Sequence, residues 1–306
     1  MVFAISEKNP PEGKNEEELM SAEENIGVFE DTVMLVQGNK RLQKSIRDGR
    51  ASQLFVSEGD SVPDGSVAAR FGEDARIILS KRRTFEAAAQ YARGGDNVCV
   101  LNFASSTNPG GGVAKGSSAQ EESLCRISTL YFLLDTDENM KRFYNPHRKA
   151  RNPLHNDDML YTKGVTVFKT DTQSPELLDE SEWYECDVIT CAAPSLRDKP
   201  SNVCNISDGS AKPSVTDAEL SEIHRRRDSR IFDVAAANGA DVLVLGAFWC
   251  GAFGNNPDVV AKVMVSLAKK YARAFKVIEF AVFCRGFDDM NYSAFESEFG
   301  RQGIGC

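Results

Sequence analysis

Short apolar runs alternate with helical patterns along most of this chain. Seven runs predict β-strands, and several are near-continuous in Val, Ile and Leu, as in strands covered on both faces. They are residues 33–37, 76–80, 98–103, 165–169, 188–191, 242–247 and 277–283. The stretches 138–163 and 195–215 are polar and rich in turn-forming residues, and we interpret both as surface insertions within one domain.

Three predicted helices between these strands have clear start signals. One begins at Thr84, and a second begins after Thr216, which forms a capping box with Glu219. A third begins with Asn256 as N-cap and Pro257 at the first helical position. Repeated alternation of strand and helix predicts the α/β class, with helices on both sides of a mixed central sheet in a three-layer α/β/α sandwich.

Charge divides the chain unevenly. The 306 residues are 42% hydrophobic and 26% charged, which is typical of a globular protein, and the net charge is -9. Residues 1–31 contain nine acidic and only two basic side chains. We therefore predict an acidic, flexible N-terminal arm over 1–31 and a single domain over 32–306. An acidic chain also argues against general nucleic-acid binding.

Cysteine and histidine spacing gives no metal motif. The eight cysteines include no CxxC pair, and the three histidines show neither HxxxH nor HxH spacing. We expect free thiols in a reducing cytoplasm, and we expect no metal and no cofactor. No run reaches the roughly 18–20 apolar residues of a membrane span, and the first residues do not resemble a signal peptide.

Two glycine-rich loops follow predicted strands, where α/β proteins bind ligands. The first contains Gly110, Gly111 and Gly112, and it leads into a helix that starts with Gln120, Glu121 and Glu122. Three glycines allow the main chain to approach a ligand closely. The second loop, 246–257, contains Gly251, Phe253 and Gly254 before a helix N-terminus, which is a natural site for a diphosphate. Neither loop matches GxxxxGK[ST] or GxGxxG.

The two loops together resemble those of microbial-type poly(ADP-ribose) glycohydrolases. The family signature is a triple glycine, six to eight residues, and Gln-Glu-Glu; here residues 113–119 form a gap of seven. The second loop is similar to the family's diphosphate loop. The resemblance, over about residues 40–285, implies a macrodomain-like fold that binds ADP-ribose. It implies these substrate-binding residues: Asn102, Gly110, Gly111, Gly112, Gln120, Gly251, Ala252, Phe253 and Gly254.

The resemblance also implies the catalytic roles. Adjacent helical residues point about 100° apart, so Glu121 and Glu122 cannot both flank one bond. By resemblance, Glu122 is the general acid/base for hydrolysis of ribose–ribose O-glycosidic bonds, and Glu121 binds ribose hydroxyls. The expected substrates are poly(ADP-ribose) or ADP-ribosylated proteins, the product is ADP-ribose, and the protein is expected to be a monomer. Two alternatives remain open: a mono-ADP-ribosyl hydrolase acting on protein or nucleic acid, and a non-catalytic ADP-ribose-binding macrodomain.

Overall fold

The fold is known from a computed structural model that describes residues 20–248, 250–251, 253–284 and 289–305. The strands are β1 (Leu54–Val56), β2 (Arg76–Ser80), β3 (Val98–Phe103), β4 (Met159–Val167), β5 (Tyr184–Cys191), β6 (Val242–Leu245) and β7 (Val277–Ala281). The α-helices are α1 (Ala22–Gly38), α2 (Lys40–Ser52), α3 (Thr84–Arg93), α4 (Gln120–Ile127), α5 (Leu130–Leu134), α6 (Asp137–Asn139), α7 (Asn145–Ala150), α8 (Asp217–Ala237), α9 (Pro257–Lys270) and α10 (Met290–Gln302). No helix in the described ranges has the length and apolar character needed to span a membrane.

The seven strands form one mixed sheet in the order β1-β4-β5-β3-β6-β7-β2. The strands β5, β3, β6, β7 and β2 run parallel to one another, whereas β4 pairs antiparallel with both β5 and β1. The carboxyl ends of the five parallel strands therefore lie along one edge of the sheet. In α/β folds this edge is where loops bind ligands.

Side chains of the central strand β3 show how the sheet is covered on both faces. Cys99 and Leu101 pack into a core cluster with α8, α9 and α10, whereas Val98 and Val100 pack into a second cluster with α1 to α5. All four are at most 4% exposed. Alternate residues of a strand point to opposite faces, so a continuous apolar run serves both clusters. The predicted three-layer α/β/α sandwich with a mixed sheet is confirmed.

The predicted strands agree with the structure except at the first position. Strands 76–80 and 98–103 have the predicted bounds, and 188–191, 242–247 and 277–283 overlap β5, β6 and β7. Residues 165–169 cover only the end of β4, and the three-residue β1 was not predicted. The strand predicted at 33–37 is wrong, because these residues belong to α1. The buried positions of α1 are Asn25, Phe29, Thr32 and Val36, at the spacing of a helix face.

The predicted boundary of the acidic arm also needs correction. Residues 1–19 lie outside the described residues, so a flexible arm remains a prediction for them. Residues 22–31, however, form the first part of α1, which begins at a capping box between Ser21 and Glu24. Phe29 is 6% exposed, and Asn25 Nδ2 donates to Gly116 O at 3.2 Å. The acidic side chains of this segment lie on the outer face of a packed helix, so charge alone did not reveal the domain boundary.

Candidate active site

The loop after β3 turns sharply at its glycines. Gly110 and Gly111 have φ angles of 65° and 58°, in the left-handed region that glycine adopts readily. Gly111 N donates to Asn108 O at 3.0 Å, and Val113 N donates to Gly110 O at 3.1 Å. A short 3-10 helix, Val113–Lys115, follows. These tight turns bring main-chain amides back against the first turn of α4.

Two carboxyl groups in the first turn of α4 accept hydrogen bonds from this loop. Glu121 Oε2 accepts from Ser105 N at 2.7 Å, and Glu121 Oε1 accepts from Asn102 Nδ2 at 3.3 Å. Glu122 Oε1 accepts from Gly112 N at 2.8 Å. Glu121 is 3% and Glu122 is 6% exposed. The structure therefore brings the predicted acidic pair and the predicted glycine loop into direct contact, with both oxygens of Glu121 already engaged.

The two carboxyl groups leave no space for a side chain at Gly111. A Cβ atom at Gly111 would lie 2.5 Å from Glu122 Oε1 and 3.1 Å from Glu121 Oε2. At Gly112, a Cβ atom would contact the Ser117 hydroxyl at less than van der Waals distance. Besides allowing the positive φ at Gly111, glycine here leaves the space that Glu122 occupies.

Burial perturbs the protonation of both carboxyl groups. Burial, followed by the charge of Glu122, raises the pKa of Glu121 well above its ordinary value. Burial also raises the pKa of Glu122, while the Gly112 amide and the charges of Arg126 and Arg197 lower it in part. A glutamate whose pKa is raised keeps its proton to higher pH and can act as a general acid.

The raised pKa of Glu122 predicts a pH-dependent stability difference. The folded chain holds this proton above pH 4.5, the ordinary value, where the unfolded chain releases it, so wild-type stability falls as pH rises. We expect Glu122→Gln to have a higher melting temperature than wild type at pH 7, and the difference to shrink as the pH approaches 4. Thermal denaturation at both pH values measures this.

Glu219→Gln is the matched control for that measurement. Glu219 is exposed in the first turn of α8, and hydrogen bonds from Thr216 lower its pKa. A lowered carboxyl pKa stabilises the folded state at pH values above the ordinary one, so this variant should show the opposite sign. The same sign in both variants would contradict the assigned perturbation of Glu122.

Gln120 links α4 to the sheet and to α3. Phe103 N donates to Gln120 Oε1 at 2.9 Å, and Gln120 Nε2 donates to Leu101 O at 2.8 Å and Thr84 Oγ1 at 3.0 Å. Both Oε1 and Nε2 of its side-chain amide are thus hydrogen-bonded. These bonds hold the N-terminus of α4 at the end of β3. A direct contact of Gln120 with substrate stays a prediction.

The second glycine loop lies at the same edge of the sheet, after β6. A Cβ atom at Gly251 would meet no atom of the described residues within 4 Å, so its main chain borders open space among them. Phe253 is 3% exposed, and its carbonyl accepts from Leu196 N at 2.8 Å. Gly254 has a φ of 69°. Ala252, also predicted as a binding residue, lies outside the described residues.

A cleft of about 300 Å³ runs along this edge of the sheet. The cleft is lined by Gly251 of the second loop together with Phe103 and Gln120, whereas Glu121 and Glu122 are not among its lining residues. Sequence reasoning missed several of its polar and aromatic lining residues: Arg83, Arg126, Asp171, Gln173, Phe283 and Asn291. A preference for the ends of parallel strands could have suggested Phe283, which follows β7.

Part of the predicted surface insertion 195–215 packs against the first glycine loop. Ser105 Oγ donates to Asn205 Oδ1 at 2.6 Å, and Asn108 Nδ2 donates to Cys204 O at 2.6 Å. Asn205 is 5% exposed. The segment therefore supports the outer side of the candidate site, a role that its turn-rich sequence did not indicate.

Fold and site together define the class of protein. A mixed sheet between helical layers, with two glycine-rich loops and a buried acidic pair at its carboxyl edge, agrees with the macrodomain-like fold and site that the sequence resemblance implied. Residues 22–170 match the family described as microbial-type PARG, catalytic domain, where PARG is poly(ADP-ribose) glycohydrolase. A search of the curated proteins found no match.

Solved structures agree with this family. PARG from Thermomonospora curvata is 29% identical, with a TM-score of 0.76 over 90% of this chain and 100% of that chain. The same enzyme bound to the inhibitor ADP-HPD is 28% identical, with a TM-score of 0.73 and the same coverage. PARG from Deinococcus radiodurans in complex with ADP-ribose is 28% identical, with a TM-score of 0.70 over 84% of this chain and 97% of that chain. Residues 22–170 therefore match the catalytic domain of the microbial-type PARG family, and the chain shares the fold of solved bacterial PARGs over 84–90% of its length.

Proposed function

We propose that this domain hydrolyses the ribose–ribose O-glycosidic bonds of poly(ADP-ribose) and releases ADP-ribose, with Glu122 as general acid/base. The observation that supports the proposal most directly is the acidic pair held by main-chain amides of a triple-glycine loop. The related enzyme from Deinococcus radiodurans binds ADP-ribose, which is the expected product.

The hydrogen bonds favour Glu122 over Glu121 as the reacting group. Glu121 accepts from Ser105 N with one oxygen and from Asn102 with the other, so its carboxyl holds the loop to α4. Glu122 accepts from Gly112 N with Oε1. The leaving oxygen of a glycosidic bond needs a proton, and a carboxyl group that is anchored on one side can deliver one from the other.

The reaction then follows in two steps. Protonated Glu122 donates its proton to the leaving ribose oxygen as the bond from the anomeric carbon breaks. The resulting Glu122 carboxylate accepts a proton from a water molecule, which attacks the anomeric carbon and restores the acid. Burial raises the pKa of Glu122 and so favours the starting protonated state, and a bound diphosphate nearby would raise it further.

The second glycine loop supplies a site for that diphosphate. It leads directly into α9, where Asn256 accepts from Asp258 N at 3.1 Å and Pro257 stands in the first turn. Since Pro257 has no N–H and Asp258 N already donates to Asn256, the amide groups available to an anion there are those of the glycine-rich main chain. The ribose next to the diphosphate would then lie beside Phe253, between the two loops.

Incubation with polymer and with a mono-ADP-ribosylated protein, followed by product analysis, tests the proposal. We expect free ADP-ribose from polymer. Release only from the mono-ADP-ribosylated protein would identify a mono-ADP-ribosyl hydrolase instead. Binding of ADP-ribose without turnover of either substrate would identify a reader.

Replacing Gly251 with valine should weaken ADP-ribose binding without affecting the fold. Because a Cβ atom there meets none of the described residues within 4 Å, the side chain would extend into the space proposed for the diphosphate. We expect roughly tenfold weaker binding by calorimetry, the size of one or two lost charge-assisted hydrogen bonds. Gly72→Val is the control, since that site is equally open. Wild-type affinity of Gly251→Val would place the ligand elsewhere.

A further inference from the structure

One stretch of this acidic chain is strongly basic. The segment 139–156, called the basic segment below, contains no Asp or Glu, although the chain as a whole has a net charge of -9. It contains five cationic side chains: Lys141, Arg142, Arg148, Lys149 and Arg151. Such a local excess of positive charge attracts a polyanion even when the rest of the protein is acidic.

Arg148 fixes the basic segment against the first glycine loop. Its Nε donates to Thr107 O at 2.7 Å, and its Nη2 donates to Asn108 Oδ1 at 2.9 Å. The carbonyl of Asn108 in turn accepts from Gly111 N at 3.0 Å, and the next amide of that turn holds Glu122. The basic segment therefore borders the candidate site from the side of the first loop, and Arg148 itself is part of the support of that loop.

Lys149 and Arg151 are the cations nearest to Arg148 along the chain, and both are exposed. Within the parts of the chain that the structure describes, neither side chain has an acidic partner or a hydrogen bond. The main chain that carries them is held, because Arg151 N donates to His147 O at 3.0 Å at the end of α7. Two cationic groups without a counter-charge from the described residues are thus carried on a fixed support beside the candidate site.

The substrate proposed for this domain is a polyanion that extends beyond the cleavage site. Each ADP-ribose unit carries a diphosphate, and the two glycine-rich loops are assigned to the unit that is released. Further units of the polymer continue past the site, where a protein of net charge -9 repels them. A basic surface beside the site offsets this repulsion. A second point of attachment also raises the affinity for a chain that is already bound at its end.

We propose that Lys149 and Arg151 form a binding surface for phosphate groups of poly(ADP-ribose) outside the cleavage site. This inference rests on the proposed glycohydrolase function, since it takes the polymer as the substrate. Two exposed cations attract phosphate charge and contribute to the affinity and association rate of the polymer, whereas the chemical step takes place at Glu122. Their loss should therefore raise KM for long polymer and leave kcat nearly unchanged.

The double variant Lys149→Gln/Arg151→Gln tests this on two substrates with the same terminal unit. One is long-chain poly(ADP-ribose), and the other is ADP-ribose with para-nitrophenol at the anomeric position, which has no further phosphates. We expect KM for polymer to rise roughly tenfold at low salt, the combined size of two exposed charge pairs, and KM for the nitrophenyl substrate to stay within about twofold. The slope of log KM for polymer against log salt concentration should flatten by about 1.4, at about 0.7 for each lost phosphate contact with a single strand.

Lys40→Gln/Arg47→Gln is the matched control, because it removes one exposed lysine and one exposed arginine from α2. Ser45 of that helix hydrogen-bonds to Gly164 and Thr166, where β4 runs beside the beginning of β5. The candidate site lies at the opposite edge of the sheet, at the carboxyl ends of the parallel strands. The control changes the net charge equally and should leave KM for polymer within about twofold.

Single-stranded DNA distinguishes a polymer surface from a nucleic-acid surface. It offers phosphates but no terminal ADP-ribose unit for the two glycine-rich loops. Binding is measured on Glu122→Gln, which should hold polymer without cutting it. DNA with the same number of phosphates should bind at least about tenfold more weakly than polymer. Equal affinity for both, lost together when Lys149 and Arg151 are also replaced, would identify a nucleic-acid surface and overturn the inference.

The remaining outcomes separate this inference from the function on which it rests. An equal rise of KM for both substrates, an unchanged KM for polymer, or an equal effect of the α2 control would each overturn the inference. Absence of wild-type turnover of both substrates would overturn the proposed function instead. Polymer binding would then still decide the surface, because adding Lys149→Gln/Arg151→Gln to Glu122→Gln without weaker binding would overturn it.

Discussion

Glu122→Gln is expected to lose about 10²- to 10⁴-fold of the rate of ADP-ribose release from polymer, the usual cost of losing a general acid/base. Glutamine keeps the shape of the side chain, and its carbonyl can still accept from Gly112 N, as Glu122 Oε1 does at 2.8 Å. It cannot donate a proton to the leaving oxygen or accept one from water. Free ADP-ribose should therefore bind with nearly wild-type affinity, as measured by calorimetry.

Glu121→Gln is the informative comparison, because the two neighbouring carboxyl groups have different surroundings. Both oxygens of Glu121 accept from fixed donors, Ser105 N and Asn102 Nδ2. A glutamine amide must turn its NH2 toward one of them, and a buried donor left without an acceptor costs about 1–3 kcal/mol. This variant should lose rate, although less than Glu122→Gln does, because a displaced Glu121 side chain misplaces the ribose hydroxyls without removing the acid. A Glu122→Gln enzyme with wild-type turnover of polymer would refute the assigned mechanism.

Gly111→Ala should abolish most of the activity although only one methyl group is added. The new Cβ atom would lie 2.5 Å from Glu122 Oε1, so the acidic side chain must move away from Gly112 N. A displacement of about 1 Å in an acid/base can cost roughly 10²-fold in rate. We expect a fall of that size in kcat on polymer.

Gly95→Ala separates the two effects of that substitution. Gly95 also has a positive φ, 88°, but a Cβ atom there meets nothing within 4 Å. Gly95→Ala therefore measures only the cost of placing an alanine in the left-handed region. We expect the free energy of unfolding to fall by about 1 kcal/mol and the activity to stay at the wild-type level. If Gly111→Ala lost no more activity than Gly95→Ala, the close approach of Gly111 to Glu122 would not be needed for catalysis.

Local signals in the sequence determined much of the fold and predicted where the candidate site lies. Strands 76–80 and 98–103 were predicted with their observed bounds, because buried parallel strands are continuous apolar runs. The helix that begins after Thr216 was predicted from a capping box, which the structure contains. Both glycine-rich loops were located because they follow strands, and the structure places them at one edge of the sheet.

Short apolar runs in the sequence did not distinguish helix from strand. Residues 33–37 form part of α1 instead of a strand, since a run of this length fits either structure until its packing partners are known. Acidic residues 22–31 were assigned to an arm because of their charge, although Phe29 packs into the core. Charge described only the outer face of that helix.

The sequence by itself predicted which residues belong to the candidate site: the triple glycine, the acidic pair and the second loop. Only the tertiary structure distinguished Glu121, held at both oxygens, from Glu122, held by Gly112. It also brought Arg197 onto Phe253, which lies 56 positions further along the chain. Helix caps and strand patterns depend on neighbouring residues, so they can be read locally. Hydrogen bonds, burial and charge at the site depend on distances between remote segments, which exist only after the chain has folded.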